Sequence, residues 1–165
     1  MGIRYIWDSF CEERKNLVLS DYVSDERYAE EWQAKQYQPK GFRPETPEMY
    51  TVKGERVRSK SEKIIADTLE RNKIPYRYEY PIELTGGFLI HPDFCVLNKR
   101  TRNEYFWEHL GKMDDPEYSS KNIRRLQQMA ENGILPGRNL LITAETSTNV
   151  LNARTMNIII REYLL

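Results

Sequence analysis

Apolar and polar residues recur along this chain with two periods, and the changes of period predict its elements. In residues 1 to about 37, Ile6, Phe10, Cys11 and Leu17 are spaced loosely as on a helix, and a second helical stretch opens at Ser24, a residue suited to an N-cap. Pro39, Gly41, Pro44 and Pro47 then break regular structure and predict an extended connector over the surface of the next domain. From Ser59 the pattern is that of a helix running to about Asn72, with Ile65, Ala66 and Leu69 on one face. Tyr76, Tyr78, Tyr80, Ile82 and Leu84 alternate with Arg77, Glu79, Pro81 and Glu83, which predicts one strand with a wet face, placed by Pro81 at an edge or an end.

Gly86 and Gly87 predict a turn into FLIHPDFCVL, a nearly continuous apolar run of strand length, and the polar loop NKRTRN leads to a third strand, EYFWEHL. This order predicts a meander of three consecutive strands. A second helix is marked by Asp115 at the N-cap, Pro116 at the first helical position and Gly133 as its stop, with Tyr118, Ile123, Leu126, Met129 and Ala130 apolar. Residues 139–143 read as a short buried strand, and residues 152–164 as a closing helix carrying Met156, Ile159, Ile160 and Tyr163. The last strand needs a crossover to rejoin the sheet, so the class is α/β with a mixed sheet. The predicted organisation is a helical N-terminal region with a Pro-rich connector, residues 1–50, followed by one α/β domain, residues 51–165.

At 165 residues the chain suits one core, and its 39% hydrophobic and 30% charged composition fits a water-soluble globular protein, neither disordered nor membrane-spanning. Cys11 and Cys95 form no CxxC pair, the N-terminus reaches acidic residues before any signal-length apolar stretch, and Ile6 stands where a myristoylation signal wants Ser or Thr. A reducing, cytoplasmic setting is the expectation. Basic and acidic side chains number 25 each, which excludes a general polyanion-binding coat. The balance is uneven, however: residues 1–50 carry a net −3 and residues 51–165 a net +3.

Three carboxylates stand where apolar patterning makes them costly. Glu62 precedes Ile65, Ala66 and Leu69 by three, four and seven residues, on the core-facing side of its helix; it also completes the capping box Ser59-x-x-Glu62, so both roles stand open. Asp93 interrupts an apolar strand in HPDF, and Glu108 follows the aromatic run of the next strand. Carboxylates on adjacent strands that converge at one end of a sheet can make a divalent-cation site. His91, Cys95 and His109 have no spacing familiar from zinc sites.

The helix acid Glu62, the pair Pro92-Asp93 and Glu108, in this order of helix and strands, resemble the PD-(D/E)XK nuclease superfamily. The resemblance runs over roughly residues 55–164, and KGERVRSKSE, PDF and WEHLG look like the corresponding text of small bacterial and phage proteins assigned to that superfamily. It implies a restriction-endonuclease-like αβββαβα core and a metal-dependent endonuclease acting on DNA. Asp93 and Glu108 would then hold Mg2+ or Mn2+, with Glu62 binding directly or through water. One departure matters: the pattern's lysine, two residues past the acid, is Leu110 here. Lys60 and then Lys112 are the candidate replacements, and the plainer reading of each is a solvated surface charge. His109 is a candidate proton-transfer group that faces away from Glu108 unless the strand bulges. Gln127, four residues after Ile123, is the candidate inward glutamine of the second long helix. Lys53, Arg56, Arg58, Lys60 and Lys63 form a basic run suited to backbone phosphates. The alternative is a catalytically inactive nuclease-fold module that binds nucleic acid or a protein; a homodimer contact or protein partner would attach through the N-terminal helices.

Overall fold

A computed structural model describes residues 23–165 of the chain, a mixed α/β fold with four helices and a mixed main sheet. Helix α1 spans Asp25–Gln33 and is capped by Ser24, whose Oγ accepts from Arg27 N at 3.2 Å; the rest of the expected N-terminal helical region, residues 1–22, lies outside the described residues. The connector carries no regular element until β1 (Met49–Tyr50), which pairs antiparallel with β2 (Arg56–Val57). The expected division at residue 50 therefore falls inside a two-stranded ladder. Residues 23–50 are tied to the sheet by Tyr37 Oη, which donates to Tyr78 O at 2.8 Å, and by Trp32, whose carbonyl accepts from Arg77 Nε at 2.8 Å.

Helix α2 (Lys60–Arg71) buries Ile65, Ala66 and Leu69, the face expected from their spacing. The strands depart from the expected meander in one respect. Neither long run is a single strand: Tyr76–Tyr78 is β3, Ile82–Leu84 is β4, Phe88–Ile90 is β5 and Phe94–Leu97 is β6. Glu79 has φ +50°, outside the range of a strand, and Pro92 has no N–H to donate, so both runs break at corresponding points. β4 and β5 pair with each other as a separate hairpin, an ear inserted between β3 and β6. The expected wet face of the first run is also absent from β3, where Arg77 is as buried as Tyr76 and Tyr78.

The main sheet has the order β3-β6-β7-β8, with β7 spanning Glu104–Leu110 and β8 Leu140–Ala144. β3, β6 and β7 are antiparallel neighbours, while β8 lies parallel to β7. The crossover is helix α3 (Pro116–Glu131), whose N-cap Asp115 accepts from Glu117 N and Tyr118 N as its sequence predicts. Helix α4 (Ala153–Tyr163) closes the fold behind its own cap, Asn152. One face of the sheet packs Tyr76, Tyr78, Phe94, Trp107 and Leu141 against α2 and α4. The other packs Leu140 with Met129 of α3, and Cys95 and Leu97 with Ala29 and Trp32 of α1. Among the described residues, no helix is long and apolar enough to cross a membrane.

Candidate active site

The strand breaks place acids side by side. One step beyond the ladder pair Phe94↔Trp107, Asp93 stands against Glu108; one step beyond Tyr78↔Phe94, Glu79 N donates to Asp93 O at 3.0 Å. Glu79, Asp93 and Glu108 thus form a row across three strands at one end of the sheet. Because side chains alternate along a strand, Glu108 faces away from the Trp107 side, toward α3. There Arg125 meets it: Nε at 3.2 Å and Nη2 at 2.7 Å both donate to Glu108 Oε1, and Nη2 also donates to His91 O at 2.7 Å.

Asp93 Oδ2 accepts from the backbone N–H of His109 at 2.7 Å, which pins its carboxylate to β7. Glu62 enters from the first turn of α2. Its Oε2 accepts from Tyr78 Oη at 2.7 Å and from Arg58 N at 2.8 Å, while its own N–H donates to Ser59 Oγ at 3.1 Å. Both readings of Glu62 hold in one geometry. It is a capping residue, although it returns to the N–H before the cap and not to that of Ser59, and it faces inward to a buried tyrosine.

These neighbours shape the acidity of the row. Burial first, then the charges of Glu108 and Glu62, push the Asp93 carboxyl well above the usual range, against the opposing hydrogen bond from His109 N–H. Burial also raises Glu108, and Arg125 offsets only part of it. Burial and the Glu62 carboxylate hold the Tyr78 phenol far above its ordinary value, so it stays a donor. Glu79, which no pattern in the sequence singles out, is gripped at both oxygens by Arg58, Nε to Oε1 at 2.6 Å and Nη2 to Oε2 at 3.0 Å.

The other sequence candidates lie elsewhere. Lys60 and Lys112 are exposed, and neither meets a carboxylate of the row; Lys112 lines a separate groove with Asp114, Asp115, Thr146 and Ser147. His109 does not share a face with Glu108, since β7 runs without a bulge. Its Nδ1 lies 2.9 Å from Thr143 Oγ1, and its Nε2 lies 3.2 Å from Glu145 Oε1 but is not aligned for a hydrogen bond. Gln127 is exposed, as is Ile123 four residues before it, so that helical face points to solvent; Arg125 takes the inward position. The basic run is largely engaged inside the protein: Lys53 pairs with Glu70, Lys63 with Asp67 at 2.8 Å and Arg58 with Glu79, while Arg56 donates to Thr46 O and lies 4.5 Å from the Phe42 ring centroid.

Among the described residues, no three His, Cys, Asp or Glu side chains cluster as a ready-made metal cage. Yet no protein donor among them meets Asp93 Oδ1, Glu108 Oε2 or Glu62 Oε1, and none of the three is sealed from solvent. Such hard, unshared oxygens fit a magnesium-type site, which keeps several waters and uses one or two carboxylates in place of an all-protein cage. The chain matches no family model, no curated protein and no solved structure.

Proposed function

We propose that this chain is a divalent-metal-dependent nuclease that hydrolyses DNA phosphodiester bonds, its mixed sheet and flanking α2 and α3 forming a restriction-endonuclease-like core. The observation that carries the reading is the opposition of Asp93 and Glu108 on neighbouring strands, each with one carboxylate oxygen left open. Asp93 and Glu108 would hold Mg2+ or Mn2+, with Glu62 joining directly or through water. When bound, the cation supplies a water of lowered pKa and stabilises charge on the phosphate. The remaining work belongs to the chain. His109 N–H fixes the Asp93 carboxylate, Arg125 holds Glu108 by one oxygen only, and Tyr78 with Arg58 N–H fixes Glu62 the same way. Each acid is oriented without being used up.

The test is nicking of supercoiled plasmid with Mn2+ or Mg2+, alongside calorimetric titration of the metal. Wild type should bind metal and nick, and Asp93→Ala and Glu108→Ala should do neither. A wild-type chain that neither binds the ion nor cuts DNA ends the enzyme reading. One observation favours the second reading, a catalytically inactive module binding nucleic acid or a protein. Leu110, in the place of the motif lysine, is 5% exposed and brings no charge to the acids. Under that reading the chain retains plasmid DNA in a mobility shift with no cleavage at any metal concentration.

A further inference from the structure

Between α1 and the sheet lies an open cavity of about 650 Å³, within the size range of small-molecule sites and lined by none of the acid row. Arg77 of β3 lines it and is only 5% exposed. The rings of Trp32 and Tyr80 lie against its guanidinium, with centroids 3.8 Å and 4.6 Å from the carbon, while Nε and Nη2 both donate to Trp32 O. No carboxylate among the described residues pairs with this guanidinium, although Arg27, Arg58, Arg102 and Arg125 each have one. Its Nη1 donates to no group among them and is not sealed from solvent. A buried cation held by one carbonyl and two rings lacks a counter-charge, and its free edge belongs to a residue of the cavity wall.

We propose that this cavity binds a nucleoside monophosphate, free or at the end of a strand, with Arg77 Nη1 and Lys35 Nζ taking the phosphate. Lys35 also lines the cavity; its ammonium lies 5.6 Å from the Tyr80 ring centroid and pairs with no carboxylate among the described residues. Two cations against one ring, both without an anion, are charge-assisted donors for an oxyanion. The aromatic side chains of Tyr28, Trp32 and Tyr80 make the wall against which a base packs. Glu31 and Glu104 complete the lining as acceptors for sugar hydroxyl and base N–H groups. Glu31 is held by Arg27 at 2.8 Å and Glu104 accepts from Cys95 Sγ at 3.7 Å, so neither is spent on Arg77 or Lys35. A bare phosphate would leave the aromatic wall and these acceptors unused. Glu104 and Glu108 stand on one face of β7, about 13 Å apart along the strand, so the cavity lies on the side of the sheet that carries the acid row. The inference uses neither a metal nor cleavage and stands apart from the nuclease reading.

Titration of the full chain in EDTA tests this, followed by calorimetry and by the side-chain N–H resonances of Trp32 and Arg77. The probes are thymidine monophosphate, thymidine, inorganic phosphate and a terminally phosphorylated tetrathymidylate. The monophosphate or the oligonucleotide should shift both resonances. Thymidine and phosphate should each bind at least about 10-fold more weakly, as expected when one set of charge-assisted or stacking contacts is lost. Lys35→Ala, at an exposed position that leaves the fold intact, should weaken nucleotide binding about 10-fold. Tighter binding of the monophosphate assigns the cavity to free nucleotides, and tighter binding of the oligonucleotide assigns it to strand ends. Phosphate bound as tightly as the nucleotide, shifts confined to residues outside the cavity, or full affinity in Lys35→Ala overturns the proposal. So does the absence of any shift.

Discussion

Arg125 spends two N–H groups on a single oxygen of Glu108, Oε1, and leaves Oε2 with no protein donor among the described residues. The pair bridges α3 and β7 with the glutamate buried and the arginine half-buried. Removing one partner of such a pair strands the other's charge, a larger effect than the net worth of the pair. Arg125→Ala is expected to destabilise the fold by about 3 kcal/mol at pH 7. The penalty arises from ionised Glu108, whose carboxyl is already raised in the fold, so it should shrink as the pH falls toward about 4, where the unfolded chain also protonates. Urea denaturation at the two pH values measures both; an equal penalty at each would refute the electrostatic account.

Asp93 predicts the opposite sign. Its carboxyl is raised by burial and by Glu108 and Glu62, so the folded state holds the proton more tightly than the unfolded one. Its contribution to stability therefore falls as pH rises from the ordinary carboxylate range through the folded value, and remains lowered above it. Asp93→Asn removes that cost while its amide oxygen still accepts from His109 N–H. The variant should melt about 3 °C higher at pH 7, equivalent to about 1 kcal/mol, with no gain near pH 3, and it should lose metal-dependent nicking. A lower melting temperature at pH 7 would contradict the assignment.

The acids themselves are legible in the sequence because each breaks an apolar pattern: Asp93 inside FLIHPDFCVL, Glu108 after Tyr105-Phe106-Trp107, Glu62 on the stripe of Ile65 and Leu69. Glu79 is not, because in an alternating run it takes the ordinary place of a wet-face residue, and a backbone φ of +50° leaves no mark on composition. Arg125 reads in the sequence as a basic surface residue of the second long helix, and its inward place against Glu108 is hidden for a related reason. Counting only apolar positions puts Ile123 on the inner face of α3, whereas the buried stripe runs through Leu126 and Met129 and admits an arginine whose head is neutralised. The helices and three of their caps can be read closely, since Ser24, Ser59 and Asp115 act within a few residues of themselves. The split of two apparent strands into a ladder and an ear depends on contacts between distant segments, which no local period encodes.

Tyr78 carries one hydroxyl between α2 and the row, donating to Glu62 Oε2 and accepting from Arg58 N at 3.2 Å. Tyr78→Phe keeps the ring packed against Phe94 and removes only that hydroxyl. A loss of about 1 kcal/mol is expected in chemical denaturation, since Arg58 N retains Glu62 as an acceptor. A neutral result would mean that the phenol does not restrain Glu62.

Helix α1 docks through one residue above others. Trp32 is buried, its ring lies 3.8 Å from the Arg77 guanidinium carbon, and its carbonyl accepts from the same arginine. Trp32→Ala should cost about 4 kcal/mol and speed amide exchange across residues 25–33 ahead of the main sheet. Exchange that rises equally in β6 and β7 would show that α1 and the sheet open as one unit.

The ear formed by β4 and β5 leaves the sheet after Glu79 and returns before Asp93, and a single backbone hydrogen bond closes its base. Its turn carries Gly86 and Gly87, and its tip shows solvent Phe88 and Leu89, 70% and 58% exposed. Mechanically the ear is a braced arm: Thr85 N donates to Asn132 Oδ1 at the C-cap of α3 at 2.7 Å, and Leu84 and Ile90 pack with Met129 and Leu140. A load at the tip is therefore divided between α3 with β8 and the bond that joins Glu79 to Asp93.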